Sequence, residues 1–540
     1  MNRLQEGFCA GRSTTRNLYK LIATLKEAQR KRLNAIILCI DLQKAFDSVW
    51  IPGLIVKLNN LGVEGKILRI VNSFLCNRNV SLCVNDYQGK PRKCSLFGLP
   101  QGSVLSPLLF IIFISDMLNF RLVPCSDQLK ECSCFFKYAD DGTLTFIHED
   151  IAICYSLAQE ACNHISVWCK HWKLQVNCAK NKTEAIVLGG KPLTPIADLM
   201  FGNDPIRYVS KSKVLGLIID ENLSFQPHAK MQVKNCWFAW YNIIQNTTTM
   251  RGLNVSSLSI LFKSVVLTKL LYAGQVWLGD NLNIFKDLWS RAMLKISGSE
   301  YHPKRVIIEV ATGIQPLKLQ LESITVKFLI KCMQDTQFNG LIFQIESNRA
   351  HPYHHQMISL MDYIKWKRKT IDRRLCLQDI DIKEICYTKI LMSQYIHQKW
   401  TYIIKDDLQP SEILDELEDS ALSIQVQQNT QKLLFPRSSS RFLDTHLMAY
   451  LHGSSMQFNK FRNAIMGAIA SPNCSVCTGC IDDPYHRLYN CPLYDCIHRD
   501  KFPITPMADR KLVALNLLLK SKAEQLCGLR RMVQSILNAG

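Results

Sequence analysis

The chain has 540 residues, 47% apolar and 20% charged, which excludes a mainly disordered polypeptide and suggests about three or four domains. Lys and Arg outnumber Asp and Glu by 65 to 45, a net charge of +20, so the expected partner is a polyanion, nucleic acid before acidic membrane. The start, Met1 to Glu6, has no apolar signal-peptide core. The longest apolar run, Leu108 to Ile114, is far short of the ~20 residues a membrane span needs. The 22 cysteines are therefore expected as reduced thiols in the nucleus or cytoplasm.

In chain order, residues 14–33 read as an amphipathic helix with Leu18, Leu21, Ile22 and Leu25 on one face. Ala35 to Ile40 is an unbroken apolar run closed by Asp41, the pattern of a buried strand with a carboxylate at its rim. Residues 51–60 form a helix that opens with Pro52 and stops before Gly62. A polar hairpin region at 78–95 leads to the turn Gly98 to Ser103 and an apolar helix over 106–118. Phe135 to Tyr138 and Thr143 to Phe146 read as two short strands joined by the turn Ala139-Asp140-Asp141-Gly142. A helix fits 151–171, and 185–188 and 214–219 read as further strands. From about 225 to 335 helical periodicity dominates, with Lys230, Lys234, Arg251, Lys263, Lys269 and Lys295 spread through it. Residues 345–440 are polar and weakly patterned, and no internal repeat is seen.

Two constellations carry chemistry. In the first, Asp41, Asp140 and Asp141 stand at strand ends. If those strands share one sheet the three carboxylates meet at its edge, where they repel unless a divalent cation neutralises them. Hard oxygen donors suit Mg²⁺ and phosphate chemistry. Taken singly, Asp-Asp-Gly is also an ordinary turn and an Asp after a strand an ordinary helix cap. The second is Cys474-x2-Cys477-x8-His486-x4-Cys491, three thiolates and an imidazole at spacings that fit one closed, structural Zn²⁺ site. Cys480 and Cys496 are close enough to compete as ligands, and free thiols are the alternative.

The wording around the carboxylates is more specific. Asp41-Leu42-Gln43-Lys44-Ala45-Phe46-Asp47, then Gly98-Leu99-Pro100-Gln101-Gly102-Ser103-Val104-Leu105-Ser106-Pro107-Leu108-Leu109-Phe110, then Tyr138-Ala139-Asp140-Asp141 resemble, in order, the central palm motifs of reverse transcriptases. The resemblance is to those of non-LTR (LINE-type) retrotransposons of the jockey and I-factor kind. Gln5 to Thr14 resembles the segment that precedes them. Leu174-Gln175-Val176-Asn177 with Lys182-Thr183-Glu184 resembles the next block, and Leu215-Gly216 with Asp220 the hairpin that supports the primer end. Tyr272 to Trp277, Arg291-Ala292 and Thr312 to Leu317 resemble the region on the C-terminal side of the palm. The Cys-Cys-His-Cys set with Cys491-Pro492 is similar to the C-terminal motif of the same group.

That resemblance implies an α+β fold: a right-hand polymerase palm with partial fingers over 1–222, a helical thumb and extension over 223–335, a helical connector over 336–465, a zinc knuckle over 466–500 and a C-terminal helix over 501–540. It implies two Mg²⁺ held by Asp41, Asp140, Asp141 and the Leu42 carbonyl. Phe46 would lie under the sugar of the incoming nucleotide, with Gln101 and Gly102 beside nucleotide or template. Lys182 would serve as proton donor to pyrophosphate, or as a solvated turn residue. The implied activity is RNA-directed DNA polymerisation, with an RNA template, a DNA primer or target and deoxynucleoside triphosphates as partners, and no membrane. The chain begins after the position of the upstream fingers and endonuclease of such elements, so an N-terminally truncated copy is expected. A catalytically silent nucleic-acid-binding remnant is the alternative. A group II intron maturase shares the palm motifs but is disfavoured by the knuckle and the long thumb extension.

Overall fold

The computed structural model describes residues 5–117, 131–189, 198–248, 253–298, 308–309, 312–368, 377, 391–396 and 398–400, and single positions beyond. Its centre is a six-stranded sheet in the order β6-β7-β1-β8-β10-β9. Helix α1 (Thr14–Arg30), capped by the Ser13 hydroxyl on the Arg16 amide, leads into β1 (Asn34–Ile40). β1 pairs antiparallel with both β7 (Asp141–His148) and β8 (Glu184–Leu188). Strand β1 is apolar from Ala35 to Ile40 because both its faces are covered. Ala35, Ile37 and Cys39 enter one core with α1, whereas Ile36, Leu38 and Ile40 enter another. The second core is closed by α2 (Ile51–Asn60), α4 (Ser106–Phe113) and α5 (Ile151–Trp172). α2 has the bounds expected from sequence.

Several elements differ from the sequence reading. α3 (Gly65–Leu75) comes after α2 unannounced, exposing Ile67 and Ile70. The polar region 78–95 makes two small pairs, β2 (Asn79–Val80) with β5 (Arg92–Lys93) and β3 (Cys83–Val84) with β4 (Tyr87–Gln88). α4 stops at Phe113, not 118. β6 (Glu131–Tyr138) and β7 run closer together than expected: Tyr138 pairs with Asp141, so the loop is Ala139-Asp140 alone and Asp141 belongs to the strand. β9 (Leu199–Phe201) and β10 (Asp204–Tyr208) complete the sheet edge. The single strand expected at 214–219 is a hairpin, β11 (Lys211–Val214) and β12 (Leu217–Asp220), turning at Leu215 (φ 46°) and Gly216 (φ 86°).

Beyond residue 225 the described chain is helical. α6 (Gln226–Thr248) is succeeded by Val255–Leu261, a π-helical stretch Phe262–Leu267, and Lys286–Ser297. Helices Leu317–Met333, Thr336–Ser347 and His354–Arg368 come next. Their apolar residues are continuous with the α1 core: Tyr19 stacks on Tyr353 at 5.0 Å, and the Tyr353 hydroxyl donates to the Val276 carbonyl at 2.6 Å. No described helix is long and apolar enough to cross a membrane. Residues 401–476 and 487–530, with Cys474 and Cys491 among them, lie outside the described residues. Cys477 is half-buried against the larger core and His486 is buried.

Candidate active site

The sheet register builds the site. Ile40 pairs with Gly142, so the next residues along, Asp41 and Asp141, flank the same end of the β1–β7 pair. The Ala139-Asp140 loop adds the third carboxylate at that end. A two-residue hairpin turn needs a left-handed backbone, and Ala139 supplies it at φ 54° without the freedom of glycine.

Asp41 is held from the segment after α5. Its amide donates to the Thr183 hydroxyl at 3.2 Å, and its carbonyl accepts from the Asn177 amide at 2.8 Å. Asn177 Nδ2 donates to Asp41 Oδ2 at 2.9 Å, and Lys182 Nζ stands 3.5 Å from the same oxygen. The Gln43 amide donates to the Gln175 carbonyl at 2.9 Å, and Leu42 pairs with Val176 between these two bonds. Leu42 is thus a non-hydrogen-bonded pair member, and its carbonyl is directed away from that segment. Loss of solvent, then the charges of Asp140 and Asp41, push the Asp141 carboxyl up to about 6, opposed by Lys182. The three carboxylates therefore sense one another, with one lysine as partial counterion.

Among the described residues, no three His, Cys, Asp or Glu side chains form a ready metal-holding group. The donor chemistry nonetheless suits a hard divalent cation: partly compensated carboxylates at one sheet edge, a carbonyl turned away from its neighbour, and a carboxyl raised first by burial and then by the neighbouring negative charges.

Beside this edge lies a cleft of about 380 Å³ lined by Phe46, Gln101, Gly102, Ser103, Val104 and Ser106, among others. Phe46 is half-buried, stacked on Phe110 at 4.6 Å with Phe8 edge-on at 6.5 Å. Gln101 Nε2 donates to Asp47 Oδ1 at 2.9 Å, tying the loop after β1 to the loop before α4. Gly102, at φ 87°, has open space where a side chain would start.

A second cleft, about 480 Å³, lies between α6 and the chain at 268–272, lined by Gln232, Asn235, Phe238, Thr268, Lys269 and Tyr272. It adjoins the β11–β12 turn, because the Tyr272 hydroxyl donates to the Leu215 carbonyl at 2.7 Å. Lys230, Lys234, Lys269 and Lys295 are exposed. Lys263 is not part of that basic surface: its Nζ donates to the Gly313 carbonyl at 2.8 Å, and burial lowers its pKa. Arg251 lies outside the described residues.

The structure brings Asp41, Asp140, Asp141 and Lys182 to one edge and groups Phe46 with Gln101 and Gly102. Sequence reasoning gave no role to Asn177 or Thr183, although both stand in quoted motifs; an amide and a hydroxyl shortly before a strand were the available signal.

Residues 1–219 match the family model described as reverse transcriptase (RNA-dependent DNA polymerase). The chain is 28% identical over 335 residues to a probable RNA-directed DNA polymerase from transposon BS of Drosophila melanogaster, covering 60% of this chain and 36% of that protein. It is 27% identical over 337 residues to the RNA-directed DNA polymerase from mobile element jockey of the same species, covering 61% and 35%. The chain thus spans about a third of the length of these curated relatives. A telomerase from Candida albicans, 15% identical, aligns over 63% of this chain and 55% of its own with a TM-score of 0.23. By the family-model match residues 1–219 are a reverse transcriptase domain, and over about 60% of its length the chain is similar to the RNA-directed DNA polymerases of the BS and jockey mobile elements.

Proposed function

We propose that this chain extends a DNA 3′-end on an RNA template by metal-assisted nucleotidyl transfer. The observation that carries the reading is the register placing Asp41 and Asp141 at one end of β1–β7 with Asp140 in the adjoining turn. Asp41, Asp140, Asp141 and the Leu42 carbonyl would hold two Mg²⁺. When bound, the ions supply activation of the 3′-hydroxyl and charge compensation for the departing pyrophosphate. Asn177 and Thr183 orient Asp41. Phe46, backed by Phe110, offers a flat ring to the sugar, while Gln101 and Gly102 line the nucleotide or template side of the same cleft. Lys182 is poised to give a proton to pyrophosphate once a cation relieves it of Asp41. In this reading residues 1–222 are palm and partial fingers. The helices from α6 onward are thumb and extension, whose exposed lysines track a duplex backbone without reading sequence. Template, primer and deoxynucleoside triphosphates are the partners.

The test is Mg²⁺-dependent primer extension on an RNA template. Asp140→Asn is expected to lower the rate by several orders of magnitude; retention within a few fold would remove the carboxylate edge from the chemistry. A wild-type chain that binds primer–template but extends nothing would favour a silent nucleic-acid-binding remnant. We further propose a structural Zn²⁺ on Cys474, Cys477, His486 and Cys491. About one zinc per chain is expected in protein prepared under reducing conditions, lost in both Cys477→Ser and His486→Ala. Zinc that survives His486→Ala but not Cys480→Ser would reassign the fourth ligand.

A further inference from the structure

We propose that Gln5 is a positioning residue for the Ala139-Asp140 turn, acting through that turn on the carboxylates; this rests on the active-site reading above. The Gln5 side chain is buried, and its Oε1 accepts from two backbone amides at once, Ala139 N at 2.9 Å and Gly7 N at 2.8 Å. Ala139 holds the left-handed conformation on which the turn depends. Its amide is met by a side chain 134 residues away in sequence.

The segment around Gln5 meets the end of β6 through one isolated parallel bridge. Gln5 bridges Lys137 in parallel, the Glu6 amide donates to the Lys137 carbonyl at 2.9 Å, and Asn17 Nδ2 donates to that same carbonyl at 3.0 Å. Gly7 is required by closeness: a Cβ there would stand 2.4 Å from Ala139 N, with backbone on the other side of the contact. The β6 side of the turn is thus fixed from outside the hairpin.

The clamp is itself braced. Glu6 and Arg16 are buried; Arg16 Nε lies 3.1 Å from Glu6 Oε2, Lys20 Nζ lies 2.7 Å from Glu6 Oε1, and Arg16 Nη1 lies 2.6 Å from Asp335 Oδ2. The Arg16 and Lys20 charges both stand over the Phe338 ring, at 5.1 and 5.2 Å. A path of ion pairs and hydrogen bonds therefore runs from the start of the helix Thr336–Ser347 through α1 to the turn bearing Asp140. Its purpose, in this proposal, is to keep that turn from relaxing when its carboxylates repel, so that their separation is preset for the cation.

Gln5→Met keeps shape and removes the acceptor; Gln5→Glu keeps an oxygen toward both amides. Each is compared with wild type and Asp140→Asn by Mn²⁺ titration, read as water proton relaxation, and by primer extension, with circular dichroism to confirm folding. The expected result is Mn²⁺ half-saturation raised roughly tenfold in Gln5→Met. A matching fall in kcat, an unchanged nucleotide KM and substantial rescue by Gln5→Glu should accompany it. Gly7→Ala should reproduce the Gln5→Met pattern by pushing the turn. A folded Gln5→Met with wild-type Mn²⁺ binding, beside an Asp140→Asn that has lost it, overturns the clamp alone. Mn²⁺ binding unaffected by Asp140→Asn, or absent from wild type, overturns the active-site reading and the clamp with it.

Discussion

Strand β6 and the turn that follows it carry two opposite treatments of charge within four residues. At its end, Asp140 joins Asp41 and Asp141 at a rim where negative charge is in excess and Lys182 is a half-exposed, 3.5 Å counterion. Three residues earlier, Lys137 is sealed inside. Its Nζ donates to the Ile114 carbonyl at 2.5 Å, and desolvation pulls it down to about 7, with Asp116 opposing the shift and Lys57 adding to it. Lys57 shares that interior: it donates to Asp116 Oδ1 and to the Phe113 carbonyl, each at 2.5 Å, with its ammonium 3.7 Å from the Trp172 ring centre. The interior group carries its own acceptors and aromatic faces, and so is closed. The rim lacks enough cations of its own, and so is open to one from solution.

That contrast can be broken from the inside first. Lys57→Ala removes the paired ammonium and strands Asp116 against Trp168 Nε1. Because Asp116 keeps about a third of its side chain in solvent, a loss of about 1–3 kcal/mol in urea unfolding is expected, below the range for breaking a fully buried pair. A loss under about 1 kcal/mol would mean the pair behaves as a surface one. At the rim, Lys182→Met should leave stability nearly unchanged, since half-exposed pairs contribute little, yet lower extension about a hundredfold if Lys182 serves as proton donor. Equal rates in wild type and variant would return Lys182 to the role of counterion alone.

The smallest effect is graded and sharpens the same line. Lys137 is lowered in the folded chain to about 7 from the ordinary 10.5. Between those values the unfolded chain binds the extra proton, so stability rises with pH, by up to about 1.4 kcal/mol per unit. Below about 7 both states are protonated and the full cost of burying the charge remains. Unfolding measured at pH 7 and pH 9 should show this rise in wild type and a flatter dependence in Lys137→Met. Parallel slopes would mean that Lys137 is not the titrating group.

Legibility in the sequence tracks the range of the interactions. The apolar run of β1, the start of α1 at Thr14 and the helix start at Pro52 are local signals and fall where expected, whereas α1 ends at Arg30 rather than 33. The meeting of Asp41 with the Asp140–Asp141 pair was legible because ordered motifs imply a shared sheet. Asp141 was misassigned to the turn since acidic and glycine residues read as turn whichever side of the last ladder pair they occupy. The β11–β12 turn, suggested by the resemblance at Leu215-Gly216, escapes the hydropathy pattern because Val214 to Ile219 is apolar across it, and only the backbone at Leu215 and Gly216 departs. Lys263 read as a surface charge because periodicity cannot see the Gly313 carbonyl across the fold. The grip of Gln5 on Ala139 spans 134 residues and leaves no local pattern.

The continuity of the α1 core with the helices after residue 317 has a consequence for synthesis. Glu27 accepts from Asn348 Nδ2 across 321 residues, and Tyr19 finds its stacking partner only at Tyr353. At about 5–20 residues per second on the ribosome, α1 waits on the order of 15–60 seconds after emerging before its outer face can be covered. Throughout that interval the sheet edge that will carry the carboxylates rests on a helix with one side still wet, so an element made well before its partners is among the last to be finished.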